Sequence, residues 1–382
     1  MDFNYTEEHL MIRDMARQFA QEELLPGVIE RDEKEEFPFA QIKKMGELGF
    51  MGMMIPEQWG GAGLDAVSYV LAMTEICKVD ASAGVVMSVN NSLVCWGINE
   101  YGTDAQKEKY LKPLASGKKL GAFCLSEPNA GSDASNQATT AVKKGDKWII
   151  NGSKNWITNG QNADYYLVFA STDKVNKSHG ISCFILEKGQ KGFEVLKKEQ
   201  KLGIRGSDTC SLGFSDVEVS ADNMLGTEGD GFKIAMQSLD GGRVGIASQA
   251  LGIAKGAIER ALAYSKERKQ FNQEISNFQA IQWKLAEMAM ETDAAELLIL
   301  RAAKLKDEHK KMSRESAMAK LFASRTAVKC ALEAIQIHGG YGYVKEYHVE
   351  RMLRDSKITE IYEGTSEVQH IVIARDMIKN GY

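Results

Sequence analysis

The hydrophobic period of this chain changes twice, and that order limits the folds open to it. From the N-terminus to about residue 120, and again from about 231 to residue 382, apolar residues recur at steps of three and four. Between them, over about 121–230, short runs of β-branched and aromatic residues are broken by Asn-Gly and Gly-Asp dipeptides. Helices do not alternate with strands, so a doubly wound parallel sheet is excluded. The pattern predicts an α+β multidomain fold: an N-terminal α-helical domain (1–120), a middle antiparallel β-barrel or sandwich domain (121–230) and a C-terminal antiparallel helical bundle (231–382).

Proline usage agrees with that division. There are five prolines (Pro26, Pro38, Pro56, Pro113, Pro128), where average usage would give about nineteen. None follows Pro128, which permits long helices in the last third and spares strand ladders in the middle.

In the first region Thr6, followed by Glu7 and Glu8, reads as a helix N-cap ahead of the mixed face Leu10, Arg13, Met15, Arg17 and Phe19. Further helices are expected at about 39–49, 65–78, 81–101 and 104–116, with a turn over Pro56–Gly63. Strands are expected at Ala138–Lys143, Lys147–Ile150, Tyr165–Ser171, Gly180–Leu186, Phe193–Lys197 and Thr209–Val219, with Asn151-Gly152 as a type I′ hairpin turn. In the last region Ile281, Leu285, Met288, Thr292, Ala295, Ile299 and Ala302 form one buried stripe, and Met318, Leu321, Phe322, Val328, Leu332 and Ile335 a second.

A net charge of −5 is too mild for a nucleic-acid or membrane surface, so an anionic ligand must be met locally. The opening MDFNYTEEHL lacks the regions of a signal peptide, and no apolar run approaches a membrane span, so a cytoplasmic, reducing location is expected. Six dispersed cysteines without a CxxC pair read as reduced thiols, and no metal site is supported.

Gly61-Ala62-Gly63-Leu64-Asp65-Ala66 matches a dinucleotide fingerprint in form, but it sits in helical surroundings and reads as a loop between helices. The segment 123–133, FCLSEPNAGSD, places small and hydroxylated residues around Pro128 in a tight loop with free backbone donors. Asn155-Trp156-Ile157-Thr158-Asn159-Gly160 sets an aromatic ring and a hydroxyl beside an Asn-Gly turn. QIHGGYGY (336–343) ends a long helix on paired glycines, and in IYEGTSE (361–367) Thr365 or Ser366 caps the last helix, with Glu363 presented just before the cap. Taken singly, each has a structural reading: a polar connection, core packing, a helix stop, a solvated carboxylate.

Together with RKQF (268–271) and PEQWGGAGLD (56–65), in order over nearly the whole chain, these motifs resemble the acyl-CoA dehydrogenase family, in particular its short-chain, butyryl-CoA members. The resemblance implies a C-terminal four-helix bundle, FAD as cofactor, and a homotetramer whose FAD site is shared across subunits. It also implies α,β-dehydrogenation of an acyl-CoA to the trans-2-enoyl-CoA, with electrons passed to electron-transferring flavoprotein. By position, Phe123, Leu125, Ser126, Trp156, Ile157 and Thr158 would meet the flavin, and Ser132 would lie where flavin loop and CoA meet. Arg268, Phe271, Gln279, Gln336, Gly339 and Gly340 would reach the pyrophosphate and adenine end, and Thr365 and Glu367 the FAD again. Asp240, Gly241, Gly242, Arg243 and Gly364 would meet the substrate. Glu363 matches the family's α-proton base; relatives with their base on the earlier helix would carry it at the position of Gly242. A helix N-terminus should acidify Glu363, and exclusion of water by ligands should reverse this. An enoyl-CoA reductase in an electron-bifurcating complex, or an enzyme for branched or medium-chain acyl-CoA, is the alternative on the same fold.

Overall fold

The computed structural model describes residues 4–381. Its first region is helical: α1 Glu7–Phe19, α2 Val28–Lys34, α3 Phe39–Glu47, α4 Ala66–Cys77, α5 Ala81–Tyr101 and α6 over 104–115. Thr6 caps α1 as expected: its Oγ1 accepts from the His9 amide, while His9 Nδ1 accepts from the Thr6 amide. The short α2 was not anticipated; its apolar residues are too few to show a period. The 56–63 segment is a 3-10 turn and irregular chain between α3 and α4, so the Gly-x-Gly pattern follows no strand.

The expectation that no apolar run approaches a membrane span is corrected: helix α5 has the length and mean hydropathy, 1.2, of one, yet 94% of that window is buried inside the protein. It is a core helix, hydrophobic on all sides because protein surrounds it on all sides.

The middle region holds β1 Gly121–Cys124, β2 Thr140–Lys144, β3 Lys147–Thr158, β4 Tyr165–Ser171, β5 Ile181–Glu187, β6 Phe193–Lys198, β7 Thr209–Ser220 and β8 Met224–Leu225. They form one sheet in the order β6-β7-β3-β2-β4-β5-β8, with β1 beside β4. Two expectations need correction. The sheet is antiparallel except where β1 and the first residue of β2 pair in parallel with β4. And Asn151-Gly152 is not a turn: β3 runs through it, Asn151 pairing with Thr140 and Gly152 with Phe214 across a bulge. The hairpin turns instead at Gly145-Asp146, between the paired Lys144 and Lys147. The dipeptide signal was right in kind, but the ladder placed the two-residue loop six positions earlier.

The last region consists of α7 Gly231–Glu267, α8 Gln279–Asp307, α9 Ser313–His338, α10 Val349–Ile358 and α11 Ser366–Asn380. The α8 stripe is buried from Met288 through Thr292, Ala295 and Ile299 to Ala302. The α9 stripe is corrected in part: Leu321 is buried as expected and Met318, Val328 and Ile335 are half-buried, but Phe322 and Leu332 are exposed, and small residues such as Ala317, Ala323, Ser324, Ala327, Cys330, Ala331 and Ala334 share the buried face with Lys320. Helix α7 is rich in glycine and packs closely. A Cβ at Gly252 or Gly256 would lie 2.5 or 2.6 Å from the carbonyl oxygens of Thr74 or Lys78. At such separations small side chains fill the helix contact, and the large ones turn outward.

Candidate active site

Helix α11 begins at Thr365, whose Oγ1 accepts from the Val368 amide at 3.4 Å. The two residues ahead of it turn back: Glu363 has φ +52° and Gly364 φ +93°. A left-handed glutamate is strained, because its Cβ crowds the backbone, and such strain persists only where the surroundings fix it. Here they do. Lys320 Nζ donates to the Gly364 carbonyl at 2.7 Å, and Gln369 Nε2 donates to the same oxygen at 2.8 Å and to the Glu363 carbonyl at 3.3 Å. The preceding Tyr362 hydroxyl donates to Gln249 Oε1 on α7, and Gln249 Nε2 donates to the Ala81 carbonyl at the start of α5.

This turn aims the Glu363 carboxylate at α7, opposite Gly242 and close to Leu93 of α5. A Cβ on Gly242 would lie 3.0 Å from the carboxyl carbon and closer still to Oε2. Oε2 is buried and has no hydrogen-bond partner. Burial therefore dominates, raising the Glu363 pKa to about 7 against the lowering pull of Lys320 and Arg243. The acidifying helix terminus expected from sequence is overridden by the protein's own interior, without need of a ligand. Arg243 is buried and paired with Asp240 at 2.5 Å; Ser313 Oγ donates to the other Asp240 oxygen, and Arg243 Nε is left without a partner. An unpartnered carboxylate oxygen and an unpartnered guanidinium N–H that interact through their charges are candidate acid–base and binding groups.

The two loop motifs of the middle domain meet. The Asn155 amide donates to the Ser126 carbonyl at 2.9 Å. Lys154 Nζ, fully buried, donates to the Leu125 carbonyl at 3.0 Å, to Glu127 Oε1 at 2.7 Å and to Gln137 Oε1 at 3.2 Å. Glu127 in turn accepts from the Ala138 and Thr139 amides. Sequence reading passed over Lys154, whose only signal was a lysine at an inward strand position. Phe123, Leu125 and Ile157 point into the core, so they can offer a ligand only main-chain groups, whereas Trp156, at the β3 bulge between Lys154 and Ile157, has φ +63° and 62% of its surface exposed. Ser126 and Thr158 are partly exposed and Ser132 is exposed. An uncovered indole beside a loop whose backbone is held in place fits a planar polar heterocycle.

A second site lies at the far end of α7. A cavity of about 520 Å³ is lined by Tyr264, Arg268, Gln270, His338, Gly339 and Gly340, among others. The Arg268 guanidinium sits 5.4 Å above the Tyr341 ring and pairs with no carboxylate among the described residues. A Cβ on Gly339 or Gly340 would meet nothing within 4 Å. A free guanidinium over an open glycine floor suits a pyrophosphate. Phe271, Gln279 and Gln336 are exposed outside this lining, as is Glu367 at the start of α11.

Three family models cover the chain in succession: the acyl-CoA dehydrogenase N-terminal domain over residues 6–118, the middle domain over 122–217 and the C-terminal domain over 229–378. The chain belongs to the acyl-CoA dehydrogenase family. It is 52% identical to the short-chain specific acyl-CoA dehydrogenase of Clostridium acetobutylicum, over 98% of this chain and 99% of that one. To the human mitochondrial short-chain specific enzyme it is 50% identical, over 98% of this chain and 91% of that one. The butyryl-CoA dehydrogenase structure from Megasphaera elsdenii matches with a TM-score of 0.97 at 49% identity, covering 99% of this chain and 100% of that one. A structure described as the electron transferring flavoprotein of Acidaminococcus fermentans, in work on flavin-based electron bifurcation, matches with a TM-score of 0.98 at 54% identity over both full chains. Acyl-CoA dehydrogenases are FAD-dependent oxidoreductases, and the exposed indole and the Arg268 cavity are features that fit that cofactor's two ends.

Proposed function

We propose that this acyl-CoA dehydrogenase oxidises a short-chain, butyryl-CoA-like thioester to the trans-2-enoyl-CoA, with Glu363 removing the α-proton. The observation that carries the proposal is the Glu363 carboxylate itself. It is unpartnered at Oε2, raised to about 7 and faces a helix position, Gly242, that carries no competing base. A pKa near the operating pH lets the group accept a proton in the transition state and still be ionised beforehand. The thioester oxygen that gains charge as the proton leaves needs a donor, for which the backbone amide of Glu363 is proposed. Arg243 and Asp240 hold the polar part of the substrate, and Ser132 and Gly364 border it. When bound, FAD supplies the acceptor for the hydride leaving the β-carbon. Ser126, Trp156 and Thr158, with the backbone of Phe123, Leu125 and Ile157, would hold its ring system.

Arg268 follows the last residue of α7, twenty-five positions after Arg243, which at 1.5 Å per residue is roughly 38 Å of helix. That exceeds an extended dinucleotide, so the Arg268 cavity would serve the FAD of another copy, with Phe271, Gln279 and Gln336 reaching across. Exposed apolar residues support a homo-oligomer, proposed as a tetramer: Trp283 (65%), Met290 (64%) and Leu297 (51%) repeat every seven residues along α8, and Phe322 and Leu332 of α9 are exposed as well. Electron-transferring flavoprotein is proposed as the electron partner. The Acidaminococcus match favours a second reading, in which the enzyme works as the enoyl-CoA reductase of a bifurcating assembly.

The deciding experiment is anaerobic bleaching of the flavin by butyryl-CoA, compared with octanoyl-, isovaleryl- and glutaryl-CoA. Glu363→Gln should retain FAD and bind acyl-CoA yet bleach about 10²–10⁴-fold more slowly; near-native bleaching by that variant would overturn the base assignment.

A further inference from the structure

Lys320 of α9 has no part in the reaction as proposed above. Its side chain is 0% exposed, yet it forms no ion pair among the described residues; its one hydrogen bond goes to the Gly364 carbonyl. A buried ammonium is costly unless its charge meets an opposite one. The carboxylates near Lys320 are Glu363, Glu360 and Glu367, Glu363 having the largest effect, with Arg243 opposing. The group lies on α9, where its buried neighbours along the helix are mostly small, Ser316, Ala317, Ala319, Ala323 and Ser324 beside Leu321.

We infer that Lys320 is a positioning residue for the base: with Gln369 it clamps the left-handed Glu363–Gly364 turn through its carbonyls, and it places a positive charge beside the Glu363 carboxylate. The inference rests on Glu363 being the base. Two independent features carry it. One is geometric, since two buried donors from two helices converge on the Gly364 oxygen behind a strained glutamate. The other is electrostatic. The ionisable groups that couple to Glu363 are Arg243 from α7, already paired with Asp240, Lys320 from α9, Tyr69 from α4 and the adjacent Tyr362. Lys320 is thus the cation facing the base that no carboxylate has claimed. Burial brings its own pKa down to about 8, above that of Glu363 at about 7, so most of its charge is present at the Glu363 midpoint. Without that charge, burial would hold the carboxyl protonated to higher pH.

The test uses the FAD-loaded enzyme and measures the rate of bleaching by butyryl-CoA against pH, together with the infrared titration of the Glu363 carboxyl obtained as wild type minus Glu363→Gln. Lys320→Met should move the acid-limb midpoint and the infrared midpoint upward together by about one pH unit or more, and Lys320→Arg should bring both back towards wild type. Gln369→Leu, which removes a clamp donor but no charge, should slow bleaching about tenfold at every pH with the midpoint unmoved. Flavin content checks that each variant is assembled. Unshifted midpoints in Lys320→Met, or midpoints in Lys320→Arg that stay where methionine put them, would overturn the electrostatic part. Wild-type bleaching by Gln369→Leu would overturn the clamp, and this arm stands even if Lys320→Met fails to fold. If Glu363→Gln itself bleaches normally, the base assignment falls first; if that variant is inactive while the others behave as wild type, this inference alone falls.

Discussion

A methyl group added at position 242 would enter the space of the Glu363 carboxylate, whose carbon is 3.0 Å from where a Cβ would stand. Two residues 121 positions apart therefore share one volume, and only one of them can carry the base. Gly242→Ala is expected to displace the carboxylate while leaving the helix intact, because alanine is the better helix former. Its bleaching by butyryl-CoA should be slower by about 100-fold or more with FAD content unchanged; a small loss would mean that the turn yields easily. The raised pKa of Glu363 also has a thermodynamic consequence. Its folded value, about 7, lies above the ordinary 4.5, so its contribution to stability is full below about 4.5 and is lost as pH rises through 7. Glu363→Gln removes this loss. The variant should be more stable than wild type at pH 8, by an amount on the order of 1–3 kcal/mol, with the gap closing towards pH 5 in urea unfolding curves. The sequence marked Glu363 by its setting among Gly364, Thr365 and Glu367. It could not show the pKa, which depends on Leu93, Gly242, Arg243 and Lys320, brought from three other helices.

At the scale of elements, β3 and the 123–133 loop act as one piece because Lys154 and Glu127 pair between them inside the core. Burial lowers the Lys154 pKa, while Glu127, despite burial, is held below the usual carboxylate range by Lys154 and the Thr139 and Ala138 amides. Removing one partner leaves the other charge buried and alone. Lys154→Met should cost about 3–5 kcal/mol and weaken FAD retention, since the Leu125 and Ser126 backbone would lose its fixed position; the double variant Lys154→Met/Glu127→Leu should recover much of the stability. Thermal unfolding and flavin content after gel filtration would check both. This piece also shows where local signals end. The strands over 165–171 and 209–219 were legible from their aromatic and β-branched residues, because that composition suits a pleated, half-buried surface. The bulge at Asn151-Gly152 and the parallel partner of β1 were not, because register is set by neighbours far along the chain.

The whole molecule adds a surface that no single element explains. Trp283, Met290 and Leu297 form a heptad stripe facing away from the protein's own core, and Phe322 and Leu332 of the neighbouring α9 are exposed as well. Leu297→Glu together with Met290→Glu should split the proposed tetramer into smaller species in sedimentation velocity, and FAD should be lost with the partner whose Arg268 would hold it. Intact tetramers with full flavin would exclude this face as the interface.

The sequence alone determined the order of domains, since hydrophobic period and proline placement act over a few neighbouring residues and need no tertiary partner. It also determined the chemical kinds at the site: a glutamate at a glycine turn, an arginine near an aspartate, a tryptophan shortly before an Asn-Gly turn. Tertiary structure decided everything that depends on what surrounds those groups. It turned Phe322 and Leu332 of α9 outward while small residues packed inward, moved the hairpin to Gly145-Asp146, and raised Glu363 to about 7 by enclosing it. Desolvation, register and close packing are properties of distant parts of the chain meeting, which is why no window of sequence contained them.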